Sequence, residues 1–381
     1  GTFIGFDRGK DNYRPGAYAL ENYGTTIIED GLFQSDAGVV VDQSKGELQI
    51  DGGTFESMSP GGTVIGIEDG PSKTTITGGD FKNVQGSSWG HVVSYSSYMG
   101  YVEENALFIT GGTFEIEGKN VDGIYIPYTK GPVIIENATI KVNATSGSGA
   151  GIVRRCDSGD DVALTVKNVT IENNGSSGDF SDILLDNYYQ DPDHPVHLKI
   201  TKDFTNKAVV GAIGIGVGLH VTTKTPTHYQ KDLKLVSADP EYIIDYDHDD
   251  DGMEYRYFNK REPGKYYVNP INATMTVEGE EKRPYSQFAQ GDKVTLTAFS
   301  NKDGEKFTGW KVEKIAADGV TEVQDLHDVL VPNLENPETA TLTVPNYDVF
   351  VTAEYKDEGE IVDPGTGDTD YGGDIAAGVV I

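Results

Sequence analysis

The sequence predicts an all-β protein: a parallel β-helix of about 7–8 coils, then a small C-terminal β module. Three observations carry that reading. An octet recurs through the first half of the chain, its fifth position is always Asp, Gly or Asn, and no helical periodicity separates the copies. The octets are Thr26-Ile-Ile-Glu-Asp-Gly-Leu-Phe33, Leu48-Gln-Ile-Asp-Gly-Gly-Thr-Phe55, Thr74-Thr-Ile-Thr-Gly-Gly-Asp-Phe81 and Leu107-Phe-Ile-Thr-Gly-Gly-Thr-Phe114. Looser copies are Val133-Ile-Ile-Glu-Asn-Ala-Thr-Ile140 and Leu164-Thr-Val-Lys-Asn-Val-Thr-Ile171. Residues 198–205 are degenerate, and Gly1-Thr2-Phe3 reads as the end of an earlier copy.

Within each octet the third position is Ile or Val and the eighth is Phe or Ile. The fifth positions, Asp30, Gly52, Gly78, Gly111, Asn137 and Asn168, are residue types that tolerate a left-handed backbone. Each octet is therefore expected to be a strand, a one-residue left-handed corner, and the start of another strand. Those corners are 22 to 33 residues apart, so the loops between them should bulge on one side. A second strand-like motif follows each corner, as in Gly62-Thr-Val-Ile65, Gly90-His-Val-Val93, Gly123-Ile-Tyr-Ile126 and Gly151-Ile-Val-Arg154. One repeat cannot bury its apolar side alone, so stacking must supply the core.

The Gly-Gly-Thr-Phe pattern resembles the right-handed parallel β-helices of large bacterial surface proteins, over roughly residues 1–235. Further along, residues 242–257 alternate around Asp251-Gly252, a hairpin signal. Such a hairpin would cover the open end of the stack. Gly291-Asp-Lys-Val-Thr-Leu-Thr-Ala298, Phe307-Thr-Gly-Trp310 and Val344-Pro-Asn-Tyr-Asp-Val-Phe-Val-Thr-Ala353 resemble the divergent internalin-type B repeat, over about residues 272–356. A long insert at 314–338 departs from that pattern. The resemblance implies a surface protein of Gram-positive bacteria. The expected divisions are a β-helix over 1–238, a capping hairpin and linker over 239–264, the B-repeat-like domain over 265–356, and an acidic linker over 357–381. The apolar stretch from Ile375 to Ile381 is expected to open a wall- or membrane-anchoring segment.

Composition excludes some functions. With 30 Lys and Arg against 61 Asp and Glu, the net charge of −31 makes nucleic acid a poor partner. Anionic membrane surfaces are disfavoured too. Cys156 is the single cysteine, so no intramolecular disulfide forms; beside Arg154 and Arg155 it reads as a quiet structural thiol. No apolar run is long enough to cross a membrane, and the expectation is an extracellular monomer. The 47 glycines, well above the usual share of about 7 %, fit a turn-rich chain.

Several residues are candidates for chemistry. Asp247, Asp249 and Asp251 with Gly252 reproduce the first half of a calcium loop, but position twelve is Phe258, where the bidentate Glu belongs. The competing reading is an acidic hairpin turn, and no other cofactor is expected. Ser158-Gly-Asp-Asp161 resembles the paired-aspartate motif of polygalacturonases, whose other motifs are absent. The seven histidines show no metal-binding spacing. Two of the Asn-x-Ser/Thr sequons are corner residues, which already accounts for their asparagines.

Registering the second strands on their first residue puts Tyr95 and Tyr128 in one column and Arg155 and Asp186 in another. Trp89, Tyr98, Tyr125, Tyr188 and Tyr189 lie near. Exposed aromatic faces flanked by Arg and Asp suit sugar rings, so these nine residues are the expected binding face for a glycan or a host or partner protein. The alternative is that the tyrosines merely cover long loops. Arg154 falls in a core column, where it would need a carboxylate from Asp157, Asp160 or Asp186; alternatively the register slips there and Arg154 points outward. No complete catalytic constellation is present. A non-enzymatic, adhesin-like surface protein is the leading expectation, with a polysaccharide-active enzyme and a structural stalk as alternatives.

Overall fold

The computed structural model describes residues 1–5, 18–36, 38–59, 61–68, 71–86, 90–95, 105–127, 129–155, 163–174, 180–186, 196–200, 207–213, 217–226, 233–300, 302, 304–316, 319–324, 326 and 329–357. Among these the secondary structure is all β.

Two large parallel sheets occupy the first 237 residues. One has seven strands and contains the first half of each octet: Thr25–Ile28, Gly46–Ile50, Ser72–Ile76, Ala106–Ile109, Val133–Glu136, Ala163–Lys167 and His197–Lys199. The other has fourteen strands in two ladders, joined where Thr113–Ile126 and Thr139–Arg155 run through both. The Phe ladder begins with Thr2–Gly5, Leu32–Ser35, Thr54–Ser57 and Asp80–Gly86. The third ladder includes Val39–Gln43, Thr63–Ile67, His91–Tyr95, Phe180–Asp186, Lys207–Ile213 and Lys234–Ser237. The chain visits the three ladders in turn and returns one strand over, an order compatible with a parallel β-helix.

Position eight of the octet explains why the strands stack in register. Phe3, Phe33, Phe55, Phe81 and Phe114 pair in sequence, and Ile140 and Ile171 continue the column. The rings lie 4.8 to 4.9 Å apart with planes within 10°. That is the spacing of neighbouring strands, so backbone and side chains share one repeat. Phe33 through Phe114 are buried, whereas Phe3 at the end is 48 % exposed.

The corners follow two geometries, which corrects part of the sequence reading. Asn137 and Asn168 are left-handed at position five (φ 51° and 47°), as expected. In the Gly-Gly octets the positive φ falls instead on the second glycine: 108° at Gly53, 112° at Gly79 and 101° at Gly112. The first glycine has a different reason. A Cβ at Gly52, Gly78 or Gly111 would lie 2.8, 2.7 or 2.4 Å from a carbonyl oxygen of the preceding repeat. Where position six is Ala138 or Val169, that φ is closed, and Asn takes the corner one residue earlier.

Beyond the last parallel strands, Tyr242–His248 and Met253–Lys260 form an antiparallel hairpin. Val221 and Phe258 donate backbone amides to Arg256 and Leu219 (2.8 and 2.9 Å), and Ile244 and Phe258 join the parallel core. The C-terminal module has two five-stranded sheets packed around Met275, Leu296, Val312 and Leu342. A separate buried cluster, including Val209, Val236, Ile243, Tyr285 and Phe350, ties the module to the end of the parallel sheets.

Phe81→Ala should destabilise the chain by about 3–5 kcal/mol, because it opens a cavity and interrupts the column. Gly111→Ala should cost about 1–3 kcal/mol through forced backbone movement. Gly24→Ala, at an open position, should stay within roughly 0.5 kcal/mol. Urea unfolding of the three variants measures all of these.

Candidate binding face

The third ladder carries the described part of the expected binding face. His91 pairs in register with Asp122, and Asp122 with Ala150. The His91 ring stacks on Tyr125 at 4.7 Å and 9°, while its Nδ1 lies 3.8 Å from an Asp122 carboxylate oxygen. Asp122 also accepts the Ala150 amide (3.0 Å). Burial pushes the His91 imidazole down to about 4. Burial pushes Asp122 up to about 6, with the Ala150 amide pulling the other way. Sequence reasoning missed both residues; their position in the strand following the octet, beside Tyr125, was the signal.

Further along the ladder Arg155 and Asp186 are register partners and form an ion pair, Nε to Oδ2 3.7 Å, with both side chains mostly buried. Tyr125 is half-buried. Trp89, Tyr98, Tyr128, Tyr188 and Tyr189 lie outside the described residues; so do Cys156 and Asp157 to Asp161.

Tyr95 is a correction. It is 3 % exposed and belongs to the core, in register with Ile67. Val93 pairs with Ile124 rather than with Ile126, and the strand runs on through Tyr95, which, two residues past inward Val93, also faces inward. Burial raises the pKa of its hydroxyl, and the Arg154 charge partly offsets this. No hydrogen bond satisfies that hydroxyl among the described residues.

Arg154 is fully buried in the core column between Ile126 and Leu185, as its position implied. Carbonyl oxygens hold it: Nη2 donates to Thr129 (2.6 Å), and Nη1 donates to Arg155 (2.9 Å) and Ile126 (3.3 Å). Thr129 in turn donates its hydroxyl to the Asn105 carbonyl (2.6 Å). The guanidinium thus satisfies backbone acceptors at the end of the strand, a role that planar donors suit. A buried cation removed from these acceptors would leave them unmatched.

The Asp247–Asp251 segment forms the hairpin turn. Asp249 accepts Lys224 Nζ (2.9 Å) and the amides of Met253 (2.9 Å) and Asp251 (3.2 Å), and Gly252 takes φ 76°. The Lys224 ammonium, then the Met253 amide, hold the Asp249 carboxyl below its usual value. One of the three calcium candidates is therefore engaged by a cation. Among the described residues no group of three or more His, Cys, Asp or Glu side chains converges as a metal cage.

Comparison with known proteins identifies one part of the chain. Residues 269–359 match the divergent InlB B-repeat domain, a repeat of bacterial surface proteins, in line with the resemblance over 272–356. A search of curated proteins finds no match, and neither does a search of solved structures. Among the described residues no helix is long and apolar enough to cross a membrane.

His91 and Asp122 should oppose each other in pH. The folded His91, at about 4, binds fewer protons than the unfolded residue near 6.5, so stability from this group rises from pH 4 to 6.5. Folded Asp122, at about 6, binds more than an ordinary carboxylate near 3.8, so its contribution falls from pH 4 to 6. Asp122→Asn should accordingly steepen the rise in melting temperature over that range. His91→Gln should instead give a falling profile. Thermal melts at half-unit pH steps read both slopes.

Proposed function

We propose that this chain is a non-enzymatic, adhesin-like protein of the bacterial surface or secreted fraction. The observation that carries the reading is the InlB B-repeat match at 269–359. The parallel sheets ahead of it constitute a right-handed β-helix of the Gly-Gly-Thr-Phe type. The third ladder is the binding face for a glycan or a host or partner protein, and the module holds that face away from its attachment point. Attachment runs through the wall or membrane by a segment following the acidic linker. Calcium, if it binds, does so at the hairpin turn.

Spacing favours binding over catalysis. Glycosidic carboxylate pairs stand about 5–9.5 Å apart. Asp122 and Asp186 lie two strands and five residues apart in the ladder, roughly 19 Å by strand geometry, and Asp186 is engaged by Arg155. The Arg155–Asp186 pair beside Tyr125 instead offers hydroxyl partners and an aromatic surface.

The test is an array of glycans and extracellular host proteins probed with the full chain. Ligands of the ladder face should be bound at least tenfold more weakly by Arg155→Ala, which also removes the cation paired with buried Asp186 and so lowers the melting temperature. Arg155→Lys, which keeps the charge but not the planar fork, should stay folded and still bind severalfold more weakly. Reducing sugar released from a bound glycan would support the enzymatic alternative. A chain that binds nothing on the array would leave the stalk reading.

A further inference from the structure

Where the parallel sheets end and the module begins, the structure forms a half-open cavity of about 310 Å³. Four tyrosines line it: Tyr242 from the hairpin, Tyr266 and Tyr267 from the strand Lys265–Ile271, and Tyr347 from the turn before Asp348–Asp357. At one side Arg261 and Asp348 meet as a bidentate pair, with Nη1 and Nη2 donating at 2.8 and 2.6 Å. Asp348 also accepts the Tyr267 amide (2.9 Å) and Arg261 Nε donates to the Pro240 carbonyl (2.9 Å), which locks the pair in place. The Lys260 and Lys314 ammonium groups lie over the Tyr242 and Tyr347 rings, 4.8 and 5.2 Å from the centroids. These two rings are therefore held before any ligand arrives.

The chemistry selects among ligand classes. An apolar molecule would cover the Arg261–Asp348 pair and the tyrosine hydroxyls without replacing their water, at the cost of burying unpaired polar groups. The hydroxyls of Tyr242, Tyr266 and Tyr347 make no hydrogen bond among the described residues, so they remain as donors and acceptors. An anion finds Arg261 already neutralised by Asp348, in a chain of net charge −31. A cation finds Asp348 neutralised by Arg261 and two lysines at the rings. What remains is a neutral molecule with CH faces for aromatic rings and hydroxyls on its edge. The volume lies at the low end of ligand pockets, about 300–1,000 Å³, which suits one or two sugar rings rather than an extended chain. Junctions between domains are also where such sites concentrate.

We propose that this junction cavity binds a neutral pyranose, as a free sugar or as the terminal unit of a glycan. It rests on the glycan-binding reading for its ligand class, but it shares none of the nine residues of the expected binding face, although Val236 and Ser237 of the ladder's last strand contribute to its wall. Tyrosine faces carry the CH surface, and sugar hydroxyls bridge the Arg261–Asp348 pair and the tyrosine hydroxyls. Because its walls come from both the hairpin and the module, occupancy also fastens the two together.

Titration of the full chain with the methyl glycosides of glucose, galactose, mannose and N-acetylglucosamine, and with their disaccharides, tests this by calorimetry and ligand-observed NMR. At least one probe should bind and raise the melting temperature. Tyr347→Ala should weaken that binding at least tenfold, Tyr266→Phe should weaken it severalfold, and Arg155→Ala should leave it unchanged. Should Tyr347→Ala lower the melting temperature of the free protein, Tyr266→Phe carries the test, since it removes only a hydroxyl. The proposal is overturned if no probe binds, or if Tyr266→Phe and a folded Tyr347→Ala bind as the parent does. It is equally overturned if Arg155→Ala alone abolishes binding, an outcome that leaves the ladder-face reading standing. A glycan array on which nothing binds, together with a positive methyl-glycoside titration, would reject the ladder face for glycans and keep the cavity.

Discussion

The column of stacked phenylalanines sets the terms for everything around it. Rings 4.8 to 4.9 Å apart can persist only if every repeat contributes one strand at that position and no repeat slips by a residue. A slip by one would turn the ring to the opposite face. Loop lengths may then vary freely, as they do between corners, because the column and the backbone ladder fix the register independently of them. The close approach of each first corner glycine to the carbonyl of the preceding repeat is the backbone counterpart of the same constraint.

Much of this was legible in the sequence. Octet position, inward alternation and corner composition gave the ladder, since each depends on a local residue pattern with a fixed meaning. What sequence could not tell was which glycine of a pair carries the positive φ, because the deciding contact lies in another repeat. Tyr95 was misplaced because it was read as standing after the strand, whereas the strand His91–Tyr95 includes it; the register was misread as well. Aligning Gly90 with Gly123 made Val93 face Ile126, whereas hydrogen bonding pairs Val93 with Ile124. An even slip keeps inward residues inward, so the apolar pattern gave no warning. Arg154 was read as either buried beside a carboxylate or turned outward by a register slip. It is buried, and the carbonyl oxygens it meets lie at a strand end whose acceptors no composition announces, while Asp157 and Asp160 lie outside the described residues.

The junction shows how a one-dimensional stack is terminated. Arg256 is fully buried, with Tyr246 and Tyr285 rings 5.0 and 4.6 Å from its guanidinium. Asp245, buried beneath, accepts Arg283, Tyr257 and Asn259. Burial, then the Asp245 charge, raises Tyr257 to about 12, so the phenol stays a donor throughout the physiological range. Tyr285 sits at φ 62° and donates its hydroxyl to the Leu233 carbonyl (3.0 Å). A bulky residue in that region is held there by its surroundings, here by contacts on both sides of the junction. These bonds join hairpin and module, whereas the parallel sheets are joined chiefly by identical neighbours.

The same arrangement governs how the molecule carries tension. A pull on the module enters the parallel sheets through the hairpin and the last strands, where Lys234 pairs with Glu313 and Arg261 with Asp348. From there it runs along the axis of the Phe column, across the interstrand hydrogen bonds rather than along the strands. Each strand pairs only with its neighbours, so bonds loaded in that direction part strand pair by strand pair. The polar clamps around Arg256 and Asp245 are loaded together. Under strain the chain should therefore lengthen from within its stack while the joint to the module stays closed.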